Sequence, residues 1–212
     1  MTITITDYQL TCDSHNLYDV NFYGNQIHTL LTHSAYHVDQ WLTETQQLIN
    51  HNHSLHPTVV GLDVEWRPNF GRNFDNPIAT LQLCIGRRCL IYQILHSPSV
   101  PQSLVDFLQG GNFVFVGVGI RSDTEKLLED YGLNVGNQVD LRGLAAQRLG
   151  LTELRGASLK VLARRVLGLE IEKPRRVKLS RWDHMWLTPV QVQYACIDAF
   201  VSSEIGVMLN AS

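Results

Sequence analysis

The sequence predicts a single α/β domain on a mixed β-sheet, preceded by an N-terminal hairpin. With 212 residues the chain is long enough for one domain with its own core and short for two. Strand-like apolar segments alternate with helical ones through its middle, which is typical of this class. No repeat, low-complexity stretch or linker divides residues 17–212, and residues 1–16 are expected to be a poorly ordered lead-in.

The first part of the domain is predicted to form a hairpin and a helix. Two strand-like segments, 18–24 and 26–32, flank a Gly-Asn turn signal. Ser34 can cap a helix that runs to about Asn50. Three histidines follow in a polar stretch: His51, His53 and His56. We interpret this stretch as an exposed loop rather than a metal site.

The middle of the chain reads as the centre of the sheet. Residues 58–66 are mostly apolar, as expected of a strand that is covered on both faces. The next predicted elements are a loop at 67–77, a hairpin of 78–85 and 89–95, a helix from Pro101 to Gln109 and a short buried strand at 113–117.

The last part of the chain is predicted to be mainly helical. Ser122 and Glu125 have the spacing of a capping box, which predicts a helix that starts there and runs to about Tyr131. The remaining predicted elements are a short strand at 139–141, helices at 142–149 and 158–167, a basic loop at 173–183 and a long helix from Thr188 to about Leu209.

Composition indicates an intracellular globular protein, in the nucleus or the cytoplasm. The chain is 44% hydrophobic and 17% charged. No apolar run approaches the roughly 20 residues that cross a bilayer, and no secretory signal is visible, so no membrane partner is expected. The cysteines lack metal-site spacing and are predicted to be reduced thiols: Cys12, Cys84, Cys89 and Cys196.

Basic residues are concentrated in one segment, although the net charge is −3. Nine of the 17 Lys and Arg residues lie there: Arg155, Lys160, Arg164, Arg165, Lys173, Arg175, Arg176, Lys178 and Arg181. Such a segment is a footprint for phosphate, and a solvated surface explains it equally well. Four tryptophans could stack on bases, but packing is the expected role for most of them: Trp41, Trp66, Trp182 and Trp186.

Asp63 and Glu65 are the strongest local signal of chemistry. Residues two apart on a strand share a face, so two carboxylates stand side by side on an otherwise apolar strand. Like charges repel and burial disfavours ionisation, so the pair needs compensation. A divalent cation supplies it, because hard cations take carboxylate oxygens. The alternative is an exposed strand end, where both side chains point into water.

Three other residues become significant only together. Asp123 lies just beyond a buried strand in a helical first turn, where the helix dipole alone favours an acid. The ends of strands are also where α/β sheets place their sites. Tyr194 and Asp198 are four apart in the last helix and share one face, where core packing is the alternative for the tyrosine.

These residues occur in an order that resembles a known superfamily. The motifs are Gly61-Leu-Asp-Val-Glu-Trp-Arg-Pro68, Phe115-Val-Gly-Val-Gly-Ile-Arg-Ser-Asp123, Leu179-Ser-Arg-Trp-Asp183 and Gln193-Tyr-Ala-Cys-Ile-Asp-Ala199. The chain resembles, over about residues 55 to 210, the tyrosine variant of the DEDD 3′→5′ exonucleases, in particular the Werner syndrome exonuclease domain and short plant proteins built from it. It departs from many members at Gly119, where they carry Asn or His.

The resemblance implies an RNase H-like fold, with a five-stranded mixed sheet and helices on both faces. It implies that Asp63, Glu65, Asp123 and Asp198 hold two Mg²⁺ or Mn²⁺ ions, and that Tyr194 orients the attacking water. A phenol with a pKa near 10 is a poor base, which favours the positioning role. The implied reaction removes nucleoside 5′-monophosphates from the 3′ end of DNA or RNA, at single-stranded or recessed ends.

Substrate contacts are expected in two places. The terminal nucleotide is assigned to Leu62, Val64, Trp66, Gly119 and Ile120, and the backbone to the basic loop residues Lys173, Arg175, Arg176, Lys178 and Arg181. A non-catalytic nucleic-acid-binding or scaffold module and an RNase H-type endonuclease remain alternatives, since fold does not fix function. A homo-oligomer is also an open expectation.

Overall fold

The computed structural model describes residues 3–51, 57–69 and 75–211, and these form one mixed sheet of eight strands. His53 and His56 of the predicted polar loop lie outside the described residues. The strands are β1 (Thr4–Asp7), β2 (His15–Phe22), β3 (Asn25–Thr32), β4 (Thr58–Trp66), β5 (Ile78–Ile85), β6 (Arg88–Tyr92), β7 (Phe113–Gly117) and β8 (Gln138–Asp140). Their spatial order is β1-β2-β3-β6-β5-β4-β7-β8.

The expectation of a five-stranded sheet is therefore wrong. Five strands do form a mixed unit in the order β6-β5-β4-β7-β8, with β4 antiparallel to β5 and parallel to β7. The N-terminal hairpin extends this unit rather than standing apart from it. Strand β3 pairs in parallel with the edge strand β6, in a register from His28–Arg88 to Thr32–Tyr92.

The lead-in also contains structure that the sequence analysis did not expect. Strand β1 pairs antiparallel with β2 from Thr4–Asn21 to Asp7–Tyr18. Just beyond β1, the Tyr8 hydroxyl donates a 2.6 Å hydrogen bond to Asp19 on β2. Asp19 is buried and also accepts from the Gln26 amide at 2.7 Å. Backbone pairing and the Tyr8–Asp19 bond attach β1 to the sheet.

Helices cover both faces of the sheet, as predicted. They are α1 (Ala35–His51), α2 (Gln102–Gln109), α3 (Ile120–Tyr131), α4 (Leu141–Leu149), α5 (Leu159–Leu162), α6 (Arg175–Lys178) and α7 (Pro189–Met208). Trp41 and Phe107 join α1 and α2 to the hydrophobic core on one face. Leu159 and Phe200 join α5 and α7 to the core on the other.

One helix start differs from its predicted position, and two segments differ in their helical content. Helix α3 begins at Ile120, because Gly119 at φ 75° turns the chain directly into it, so the capping box predicted at Ser122 is wrong. The capping box occurs instead at α7, where Thr188 and Gln191 bond each other's backbone amides. The predicted basic loop contains one helical turn, α6, and the predicted helix at 158–167 passes from α5 into a π-helical turn at Ala163–Leu167.

The remaining whole-chain expectations concern cysteines and membranes. All four cysteines are free thiols, three of them in the core and Cys12 exposed. Among the described residues no helix is both long enough and apolar enough to span a bilayer.

Candidate active site

Three of the predicted acids meet at the centre of the sheet. Asp63 and Glu65 lie on one face of β4, which has β5 on one side and β7 on the other. Asp198 comes from α7, which packs across that face. One oxygen from each of the three carboxyl groups lies within 4.8 Å of the other two. Residues 133 positions apart in sequence, from Glu65 to Asp198, are thus brought together.

A glycine on β4 makes this meeting possible. A Cβ at Gly61 would lie 1.9 Å from the Ala199 carbonyl oxygen and 2.8 Å from the Ser203 amide nitrogen. Such distances are impossible for a real side chain, so only glycine lets α7 approach β4 this closely. Because Asp198 is next to Ala199, the close approach fixes the Asp198 carboxyl over the strand.

Burial raises the pKa values of all three acids, and repulsion by a neighbouring carboxylate adds to the rise for Asp63 and Glu65. Burial, with the charge of Asp198 second, raises the pKa of Asp63 to about 7. Burial followed by the charge of Asp63 raises the pKa of Glu65 well above its usual value. Burial also raises the pKa of Asp198. A site that disfavours its own negative charges is one that a cation would relieve.

The donor set fits a hard divalent ion. Oxygens within 4.8 Å of one another can share an ion bound at roughly 2.0–2.6 Å from each. Gln82, opposite Asp63 on β5, adds a buried side-chain oxygen that has no hydrogen-bond partner among the described residues. Carboxylate and carbonyl oxygens suit Mg²⁺ and Mn²⁺.

Asp123, the fourth predicted acid, lies beside this group but not within it. It occupies the first turn of α3. Burial, then the charges of Asp63 and Asp140, raises its pKa to about 8. Because the negative charge of Asp63 raises the pKa of Asp123 through space, Asp123 faces the same region as the three clustered acids.

Sequence reasoning missed a second polar group on this side. Asp140 ends β8, caps α4 by accepting from the Arg142 amide at 2.9 Å and also accepts from the Gly119 amide at 3.1 Å. The Arg142 guanidinium lies beside Gly119 and opposes the charge of Asp123. Both residues stand at an ordinary strand–helix junction, so no sequence pattern marks them, and only the pairing of β8 with β7 brings them here.

Tyr194 and Lys173 complete the α7 side of the site. Tyr194 is buried, and burial followed by the charge of Asp198 raises its pKa, so the phenol stays protonated at neutral pH. The Lys173 ammonium lies 2.5 Å from Asp198 Oδ2 and 5.3 Å from the centre of the Tyr194 ring. Lys173 was expected to contact the substrate backbone, and in the structure its ammonium lies against Asp198.

Three of the residues expected at the terminal nucleotide have side chains that are buried in the core. Leu62, Val64 and Ile120 are at most 3% exposed and belong to the core on the opposite face from the acids. The two-residue period of β4 explains this, since it sends 62 and 64 away from 63 and 65. Trp66 is half-buried with the Lys126 ammonium 5.8 Å from its ring, and Gly119 adjoins Arg142.

Two neighbouring cavities share Val177 and Val190 as lining residues, and basic residues line one of them. A cavity of 340 Å³ contains Tyr194 and Asp198 and is walled by Val177 and Val190. The same two valines line a second cavity, of 550 Å³. Its other lining residues include Arg176, Arg181, His184 and Trp186. Trp186 is 61% exposed, whereas Trp41 and Trp182 are buried as expected.

Comparison with known proteins identifies the family. A family model described as 3′-5′ exonuclease matches residues 39–210. The chain belongs to the 3′-5′ exonuclease family. This membership confirms the DEDD resemblance and the RNase H-like fold, and it leaves strands β1 to β3 outside the matched region.

The relatives include plant and animal exonucleases. A 3′-5′ exonuclease of Arabidopsis thaliana is 38% identical over 68% of this chain and 49% of its own length. The human exonuclease 3′-5′ domain-containing protein 2 is 39% identical over 68% of this chain and 24% of its own. The mouse bifunctional 3′-5′ exonuclease/ATP-dependent helicase WRN is 33% identical over 67% of this chain and 10% of its own. The chain thus matches half or less of each relative.

Among solved structures, the EXD2 exonuclease domain soaked in Mn and GMP is similar. It is 30% identical, covers 86% of this chain and 90% of its own, and has a TM-score of 0.49.

Proposed function

We propose that this protein is a metal-dependent 3′→5′ exonuclease that hydrolyses phosphodiester bonds of DNA or RNA and releases nucleoside 5′-monophosphates. The convergence of Asp63, Glu65 and Asp198, with oxygens within 4.8 Å, carries the proposal. A scaffold module has no need of three clustered acids, two of them buried, whose ionisation the fold opposes. Family membership gives the reaction class independently.

The four acids would hold the catalytic ions. Asp63, Glu65 and Asp198 supply a first set of oxygens, and Asp123, beside Asp63, supplies a further carboxyl group for a second ion. Bound Mg²⁺ or Mn²⁺ would activate water and stabilise negative charge on the phosphate and leaving group. The protein itself excludes bulk water, because Glu65 and Asp198 are almost fully buried.

Tyr194 would position the attacking water rather than remove its proton. Its raised pKa keeps the hydroxyl protonated, so it is a hydrogen-bond donor at neutral pH. It lies one turn before Asp198 on the same helix and lines the 340 Å³ cavity with it. A hydroxyl fixed beside the metal-holding acids can orient a water or a phosphate oxygen.

The polynucleotide would enter along α6 and the start of α7. The 550 Å³ cavity shares Val177 and Val190 with the cavity that contains Asp198, and it offers the guanidinium groups of Arg176 and Arg181 and the exposed Trp186 ring. Phosphates bind cations and bases stack on aromatic rings, without sequence preference. The Arg142 guanidinium lies near Gly119.

Incubation with end-labelled single-stranded RNA and DNA tests the function. With Mg²⁺ or Mn²⁺ we expect a ladder that shortens from the 3′ end, no products in EDTA, and at least about a 1,000-fold loss in Asp63→Ala. We expect Tyr194→Phe to slow turnover about 100-fold while Mn²⁺ affinity by calorimetry stays unchanged, because it loses only a positioning contact. Internal cuts would indicate an endonuclease. Binding without products, unchanged in Asp63→Ala, would indicate a non-catalytic module and overturn the proposal.

A further inference from the structure

Lys173 makes the only ion pair that reaches the clustered acids among the described residues. Its ammonium lies 2.5 Å from Asp198 Oδ2, and the Asp198 side chain is 3% exposed while that of Lys173 is 31% exposed. Burial lowers the pKa of Lys173, but the charges of Asp198 and Asp63 outweigh burial and raise the pKa overall. The lysine is therefore charged and already provides a positive charge where a metal would.

We propose that Lys173 is the built-in counter-ion of the metal-free site, and that a divalent ion must displace its ammonium from Asp198 in order to bind. The inference rests on the proposed function, because it assumes that Asp198 is a metal ligand. A buried carboxylate without a partner is strongly destabilising, which gives the metal-free protein a reason to keep the pair. A second cation cannot share the same oxygen at close range without strong repulsion.

The location of Lys173 allows such a displacement. It lies in the segment 168–174, which has no regular secondary structure, just before α6. A lysine also carries its charge on a flexible four-carbon stem, so it can leave without moving the backbone. Its side chain is 31% exposed, so part of the stem already faces solvent. Displacement would lower the affinity of the site for metal and set a threshold concentration for loading.

Lys178 offers a matched control. It is exposed, lies five residues further along and acts on Asp63, Glu65 and Asp198 through space, yet it forms no ion pair with them in the described parts of the chain. Its removal reports the general effect of one fewer positive charge. Removal of Lys173 reports that effect together with the loss of direct competition between the Lys173 ammonium and the metal ion for Asp198.

The test is calorimetric titration of Mn²⁺ into the wild-type protein, Lys173→Met, Lys178→Met and Lys173→Arg. We expect Lys173→Met to bind Mn²⁺ about tenfold more tightly than the wild type, Lys178→Met at most about twofold more tightly, and Lys173→Arg close to the wild type. In EDTA, Lys173→Met should melt below the wild type, and Mn²⁺ should remove that difference.

The outcomes separate this inference from the proposed function. Equal gains in Lys173→Met and Lys178→Met, an unchanged affinity in Lys173→Met, or a weaker one would overturn the counter-ion role and leave the metal site standing. No Mn²⁺ binding by the wild-type protein would overturn the metal site and the counter-ion role together.

Discussion

At the scale of single residues, Gly61 and Asp63 show what a sequence reveals and what it hides. The pairing of Asp63 with Glu65 follows from the two-residue period of a strand, so the sequence predicts it without a structure. The need for glycine at position 61 depends on Ala199 of α7, and no local pattern contains that contact. The pair between Lys173 and Asp198 is hidden for the same reason, since 25 positions of chain separate its members.

Gly61→Ala is expected to lower the free energy of unfolding by about 1–3 kcal/mol or more and to weaken Mn²⁺ binding. The new Cβ would meet backbone atoms of α7, which no rotamer change can avoid, so the helix must shift and take Asp198 with it. Urea denaturation and calorimetric titration measure the two effects.

Gly143→Ala is the control for this substitution. Gly143 lies in α4 and a Cβ there meets nothing within 4 Å, so alanine should be neutral or stabilise by up to about 1 kcal/mol. If Gly61→Ala proves as stable as Gly143→Ala and binds Mn²⁺ normally, close approach of α7 does not position Asp198.

At the scale of elements, long apolar segments were predictable and short or turn-dependent ones were not. The apolar run of β4 and the Thr-Pro start of α7 predicted both elements close to their observed bounds. Strand β1 has four residues and exists only because β2 offers a free edge, so its own sequence does not determine it. The start of α3 depends on the left-handed conformation of Gly119, which overrides the capping pattern at Ser122.

The 550 Å³ cavity along α6 and the start of α7, called the groove below, leads to a prediction about substrate affinity. Trp186→Ala should raise KM for a single-stranded 12-mer about tenfold, because stacking on one base contributes about 1–3 kcal/mol. We expect little change in kcat, because Trp186 does not line the cavity that contains Asp198. Tyr36→Ala is the control, since Tyr36 is equally exposed, at 63%, but lies on α1 outside this groove. Steady-state kinetics on both variants gives the comparison.

Two results would contradict the groove as a strand-binding surface. One is an equal change in KM for Trp186→Ala and Tyr36→Ala. The other is an unchanged KM with a shifted elution volume in size-exclusion chromatography, which would make the exposed tryptophan a contact between copies of the chain.

At the scale of the whole molecule, one sheet contains strands from two parts of the chain, one inside and one outside the region that matches the family. The five strands from β6 to β8 lie within residues 39–210, which match the family, and they support the acids. Strands β1 to β3 lie before that region and extend the same sheet through parallel pairing of β3 with β6. The sequence predicted the hairpin but not its attachment, because parallel pairing joins segments some 60 residues apart and leaves no local pattern.

Asp63 and Asp123 give the metal-free protein an unusual dependence of stability on pH. In the unfolded chain Asp63 and Asp123 titrate near 3.8, whereas in the folded protein they keep their protons to about 7 and about 8. Between these values the folded state binds more protons than the unfolded state. Their contribution therefore favours folding at low pH and is lost as pH rises from about 4 to about 8, by at most about 1.4 kcal/mol per pH unit for each group.

Asp123→Asn isolates one of these groups, since asparagine does not ionise. In urea denaturation with EDTA, the free energy of unfolding of Asp123→Asn minus that of the wild type should increase steadily from pH 5 to pH 8 and then level off. Glu129→Gln, an exposed position on the same helix, is the control variant. With saturating Mn²⁺ this difference in the free energy of unfolding between Asp123→Asn and the wild type should become negative. The wild type is then stabilised by an ionised Asp123 as a metal ligand, and the variant lacks that ligand. A constant difference in EDTA would mean that Asp123 is ionised in the metal-free protein, and the cation would then have no repulsion at this position to relieve.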